Sequence, residues 1–144
     1  MKKNLLIVVA VLTLGLGCSK SNGPETTTAP DSPQADKGVG PVKSVTLATL
    51  DPSKAAEGQK LFDDKCSACH KIEEKYVGPA LKGVTGRRSP EWILNMILNP
   101  QEMTEKDPIA RDLLATHFTQ MTFQNVTEDQ AKMILEFFRQ NDSK

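Results

Sequence analysis

The chain has 144 residues with 18 basic and 18 acidic side chains, and a quarter of it is charged. That balance excludes the strong basic excess that nucleic-acid binding demands, and the length leaves room for one modest domain. Three cysteines, an odd number, argue against a simple disulfide framework. All seven aromatic residues lie from Phe62 onward. Side chains alone would fill so small a core thinly, and a large planar cofactor would complete it.

At the start of the chain, Lys2 and Lys3 precede an apolar stretch over residues 5–16 that is broken only by Thr13 and Gly15. A basic leader followed by a short apolar run is too short to span a bilayer comfortably and fits an export signal. Gly17 and Cys18 follow, and the pattern resembles a bacterial lipoprotein signal, in which cleavage precedes the cysteine and lipid is attached to it. Gly15 stands where that pattern usually has leucine. An ordinary secretory signal and an uncleaved anchor are the competing readings.

The division expected is a signal peptide over residues 1–17, a lipidated Cys18 with a flexible tether over 18–50, and a folded domain over 51–144. The tether is rich in Pro, Thr and Gly and holds no aromatic residue, so it buries too little apolar surface to offset its ordering entropy. Val42, Val45, Leu47 and Leu50 near its end could pack loosely on the domain.

Asp51 before Pro52 predicts a helix start. Ala55, Gly58, Leu61 and Phe62 then recur at helical spacing, and the helix should end near Asp64. Ser89 before Pro90 repeats the signal. Trp92, Ile93, Met96 and Ile97 make an amphipathic run that Pro100 stops. A weaker helix spans residues 108–118, with Ile109, Leu113 and Leu114 inside. The last helix is the clearest: Thr127 and Gln130 form a capping box, Val126 is placed to staple onto Ala131, and Ala131, Ile134, Leu135 and Phe138 make the apolar stripe. No alternating strand pattern follows residue 50, and the expected fold class is all-α.

Between the first two helices stands Cys66-Ser67-Ala68-Cys69-His70. C-x-x-C-H is the attachment signature of c-type haem. Two cysteines three apart on a helical turn reach the two vinyl groups as thioethers, and the next histidine falls under the iron. The spacing also occurs in thiol–disulfide enzymes and zinc sites. The former place it after a strand in an α/β pattern, which is missing here. A zinc site would have only His117 to complete a poor ligand set.

Around this motif, over about residues 53–141, the chain resembles class I mono-haem cytochrome c, in a bacterial lipoprotein form. Gly58, Leu61 and Phe62 before the motif and Val77-Gly78-Pro79-Ala80-Leu81 after it are similar to that family's pattern. The resemblance implies a small helical bundle wrapped around one haem c per chain, attached covalently through Cys66 and Cys69. It implies that Gly58 lets the first and last helices cross closely, that His70 binds the iron, that the Pro79 carbonyl accepts the His70 ring N–H, and that Leu81 packs on the haem. Met121 takes the place of the second axial ligand, although Thr122 follows where the family often has proline. Met96 and Met133 are expected to pack. Met103, read as a loop residue after Pro100, is the main methionine rival, and His117 would serve only in a bis-histidine site.

Trp92 is expected either to donate its indole N–H to a haem propionate or to pack in the core. Arg88, with Arg87, either neutralises propionates or stands as a solvated pair. Lys65, Lys71, Lys75 and Lys82 ring the motif, but Asp63, Asp64, Glu73 and Glu74 are interleaved with them, which favours a mixed solvated surface over a docking patch. The function implied is single-electron transport rather than enzymic catalysis, by a monomer on the periplasmic side of a membrane to which lipid on Cys18 anchors it. A quinol-oxidising complex would be the donor and a terminal oxidase or reductase the acceptor. Two readings compete: a haem enzyme or gas-binding protein with an open sixth position, and a haem-free thiol oxidoreductase.

Overall fold

The computed structural model describes residues 36–144, and the signal peptide and Cys18 lie outside them. Helix α1 spans Pro52–Lys65, with the Asp51 carboxylate accepting the Ser53 and Lys54 N–H groups and Pro52 in the first turn. Helix α6 spans Glu128–Asp142 and opens on the capping box of Thr127 and Gln130. These two helices cross at close quarters. A Cβ placed on Gly58 would stand 1.9 Å from the Met133 carbonyl oxygen, so no other residue fits there. Around the crossing, Phe62, Phe137 and Phe138 pack with ring centroids 5.4 to 5.8 Å apart, geometry in which aromatic pairs add to simple burial.

Four shorter helices fill the span between: α2 (Val84–Arg87), α3 (Pro90–Leu98), α4 (Pro100–Lys106) and α5 (Pro108–His117). Ser89 caps α3 through the Trp92 N–H, and Asp107 caps α5 through the Ala110 N–H. Leu94, Ile134, Leu135 and Ala131 lie fully inside. Among the described residues there is no strand, and the fold is all-α. None of their helices is long and apolar enough to cross a membrane.

Two expectations need correction. Pro100 stops α3, yet it also opens α4, because proline at the first helical position loses no hydrogen bond that was otherwise available. Met103 is therefore a helix residue, and it is fully buried.

Residues 36–50, expected to belong to the flexible tether, are strapped to the domain. Asn95 holds the strap with its amide: its oxygen accepts the Val42 N–H, and its nitrogen donates to the carbonyls of Lys37 and Val42, each at 2.9 Å. The Met103 sulfur takes the Val39 N–H, the Glu91 carboxylate takes that of Val45, and Arg139 donates to the Ala48 carbonyl. Val42 is buried, which is worth about 2 kcal/mol relative to leaving it in water. Composition alone gives the strap a disordered look, because its anchors are backbone groups met by side chains 46 to 91 residues away.

Candidate functional site

The Cys66–His70 turn follows α1 without a break, as the Cys69 and His70 N–H groups return to the Cys66 carbonyl at 3.1 and 2.9 Å. The chain then loops through residues 71–83 and returns, with the Gly78 N–H donated to the Cys69 carbonyl at 2.9 Å. Gly78 is required there: a Cβ on it would stand 2.4 Å from the His70 ring. The next carbonyl, that of Pro79, lies 3.3 Å from His70 Nδ1. A carbonyl can only accept, so Nδ1 carries the proton and Nε2 keeps its lone pair. Burial holds the imidazole below its ordinary range, the Pro79 carbonyl opposes that, and His117 adds to it. The ring is thus neutral near pH 7.

Beside the motif opens a cavity of about 220 Å³. Cys66, Cys69 and His70 form one wall, joined by residues 77–81. The floor is apolar, made by Phe62, Ile93, Met96, Ile97, Ile134 and Phe138. The far end of α5 and the loop after it supply Leu113, Leu114, His117, Gln120 and Met121. Both thiols are free, Cys66 half-buried and Cys69 exposed.

Burial, followed by the neighbouring Cys69, pushes the Cys66 thiol up to about 11. Thiol–disulfide enzymes need the opposite, a thiol whose pKa is lowered toward neutrality. Among the described residues no three of His, Cys, Asp and Glu come together to hold a metal ion, which leaves a zinc site without ligands. Two thiols, a carbonyl-oriented imidazole and a thioether on the walls of one apolar cavity are a donor set that suits a haem.

The family model for cytochrome c matches residues 55–142. The chain belongs to the cytochrome c family. Its cofactor is haem c, held covalently, and Cys66 and Cys69 fit the attachment motif. Among relatives, this cytochrome is similar to a "Cytochrome c-553-like" protein of Synechocystis sp., 34% identical over 64 residues that make up 35% of this chain and 61% of that one. It is similar to a cytochrome c-551 of Stutzerimonas stutzeri, 44% identical over 41 residues, 28% of this chain and 39% of the relative. The chain thus spans less than two thirds of the length of these curated relatives. A solved cytochrome c from Rhodothermus marinus superposes with a TM-score of 0.71 at 42% identity, covering 72% of this chain and 90% of that one.

The remaining residues singled out from the sequence divide. Leu81 lines the cavity, and Pro79 both lines it and holds the histidine. Met103 does not line it: it is buried under the strap, with the Val39 N–H on its sulfur at 2.9 Å. Trp92 reaches the cavity and is buried on the α3 face, with its indole N–H donated to Asp107 at 3.2 Å. Asp107 is buried, which pushes its carboxyl up, while the N–H groups of Ala110 and Trp92 pull it down.

Arg88 lines the cavity and lays its guanidinium over the Trp92 ring, 5.2 Å from the centroid. Arg87 is spent on the Lys82 and Ala80 carbonyls. His117 lines the cavity too, with Nδ1 buried and unpartnered.

Two glutamines escaped notice in the sequence. Gln120 accepts from the Thr104 hydroxyl and donates to the Met121 carbonyl, both at 3.0 Å. Gln124 donates to the Thr122 carbonyl and hydroxyl. With Asn125 at a φ of 54°, these bonds shape the chain around Met121. Glutamine has no local signature for such a task, and only its nearness to Met121 could have drawn attention.

Proposed function

We propose that this cytochrome is a single-electron carrier of an extracytoplasmic respiratory chain, with haem bound through Cys66 and Cys69 and with His70 and Met121 as axial ligands. It would accept electrons from a quinol-oxidising complex and pass them to a terminal oxidase or reductase. Residues 1–17 direct export, and lipid on Cys18 holds the domain at the membrane surface, raising its effective concentration near membrane partners.

One observation carries the reading: His70 is oriented by the Pro79 carbonyl, and Met121 lies on the wall of the same cavity. His117 is the weaker candidate for the second ligand. A ligating imidazole has its outer nitrogen held by an acceptor, and the Nδ1 of His117 has none. When bound, haem supplies a one-electron iron couple, and a thioether ligand favours its reduced form over that of a bis-histidine site.

The residues around it do the rest. The Pro79 carbonyl fixes the imidazole and raises its basicity. The apolar floor from Phe62 to Phe138 excludes water and keeps reorganisation small when charge changes. Arg88 sets a positive charge beside the cavity, where propionates are the anions to be met.

Mass spectrometry of the exported protein tests attachment: one haem mass added and no free thiol at Cys66 or Cys69. Met121→Ala tests ligation. The ferric protein should lose its near-infrared sulfur-to-iron band, and carbon monoxide should bind the reduced variant faster than the wild type. A band that survives the substitution overturns the Met121 assignment. Acylation lost on Cys18→Ser tests the anchor.

A further inference from the structure

Residues 113–127 contain no Lys, Arg, Asp or Glu, in a chain that is one quarter charged. Within them two large apolar side chains stand in water, Phe118 at 89% exposure and Phe123 at 48%. Phe118 departs from expectation twice. It ends α5 at a φ of 53°, a left-handed position that glycine takes without strain, and its ring touches almost nothing. The left-handed turn ends α5, but a ring so exposed adds little to the fold.

The neighbours explain where this face leads. Thr119, Gln120, Met121, Thr122 and Gln124 line the cavity, so Phe118 and Phe123 are the outer side of a wall one loop thick whose inner side faces the haem site. By contrast, the lysines near the attachment motif are partly matched internally, Lys65 by Asp64 at 3.0 Å and Lys82 by Glu73 at 2.7 Å.

We infer that Phe118 and Phe123 form the surface on which this cytochrome docks its electron-transfer partner, and that the partner is a redox protein presenting an uncharged, apolar-centred face. The inference rests on the electron-carrier reading. Charge matching argues for this occupant: a charged partner face would lose its hydration against fifteen residues that offer no counter-charge. A lipid surface is a poorer match, since the segment has no cationic rim and only two aromatic anchors. Association of this kind is short-range and indifferent to salt, whereas charge-steered docking slows steeply as salt rises.

The test uses the full-length holo protein, reduced, and membranes of its own cell as oxidant. Phe118→Gly, Phe123→Ser and the pair together are compared with the wild type at low and high salt, with a small neutral quinone as control oxidant. The expected result is an at least tenfold slower oxidation of the double variant by membranes, an unchanged rate with the quinone, and a wild-type rate that varies less than about twofold with salt. Phe118→Gly should melt no lower than wild type while reacting more slowly, which separates docking from folding.

Variants as fast as the wild type overturn the inference, as does a wild-type rate that falls tenfold with salt. A wild-type dimer that Phe118→Gly dissolves assigns the face to a second copy and overturns it also, as would flotation with phosphatidylcholine vesicles that the substitutions abolish. If membranes fail to oxidise the wild type at all, it is the carrier reading that fails.

Discussion

The two walls of the haem cavity are built by different means. On the His70 side the backbone does the work. The turn is closed by main-chain bonds, and Gly78 and Pro79 bring a carbonyl to the imidazole. Just behind, α1 lies against α6 across Gly58. On the Met121 side the chain is a loop whose position depends on side-chain bonds from Gln120 and Gln124 and on the left-handed residues Phe118 and Asn125. Backbone packing is strong because it admits few alternatives, whereas side-chain bonds at a surface are each worth about 1 kcal/mol. The contrast suits a cofactor held rigidly on one side and approached from the other.

That difference can be broken on the rigid side first. Gly58→Ala should cost at least about 3 kcal/mol by denaturant unfolding of the holo protein, because a Cβ would overlap the Met133 carbonyl and neither helix can retreat without opening the aromatic cluster. A loss under about 1 kcal/mol would mean the crossing is loose. Gly78→Ala should cost about 2 kcal/mol and also move the His70 ring off the Pro79 carbonyl. A changed ferric spectrum should accompany the lost stability, and an unchanged one would show that the loop, not the histidine, gives way.

How much of this was legible beforehand follows the same divide. The capping residues Asp51, Ser89 and Thr127 speak through local spacing, and the structure places them as that spacing implies, while the close crossing at Gly58 follows from the family resemblance. The strap was not legible, because Asn95 and Met103 meet it only after α3 and α4 have packed. Helix α4 is not legible because proline after α3 signals a stop as readily as a first helical residue, and only the packed structure separates the two. Trp92 was half legible: its burial followed from the helix face, but its partner Asp107 sits at the start of another helix.

A smaller effect sharpens the rigid side by pH. The Asp142 carboxylate accepts from the Gly83 N–H, the Thr85 N–H and the Thr85 hydroxyl at 2.6 to 3.0 Å, tying α6 to the start of α2. Burial alone would raise its pKa, but the donors from Thr85 and Gly83 outweigh it and hold it below its ordinary value of 3.8. A depressed folded-state value means the carboxylate stabilises the fold at neutral pH, and that this contribution disappears as pH falls through the acid range. Asp142→Asn should therefore cost about 1 kcal/mol at pH 7, discounted for its partial exposure. The gap to wild type should narrow as pH drops below 3.8. A gap that stays constant to pH 3 would show that hydrogen-bond geometry, not charge, is what matters there.

The smallest expected change in stability is at the loop, and it discriminates most finely between the walls. Gln120→Ala removes the bolt to the Thr104 hydroxyl and the brace on the Met121 carbonyl. Gln120 is exposed, so water replaces much of what is lost, and global stability should fall by only about 0.5 kcal/mol. If the Met121 wall is a local unit held by side chains, the variant should loosen there before it unfolds anywhere else. On heating the ferric holo protein, the near-infrared band of sulfur ligation should fade several degrees below the helical transition in Gln120→Ala, and closer to it in the wild type. Loss of the band and of helix together in both proteins would mean that the loop shares the cooperativity of the α1–α6 crossing, and the two walls would then be one structural unit despite their different construction.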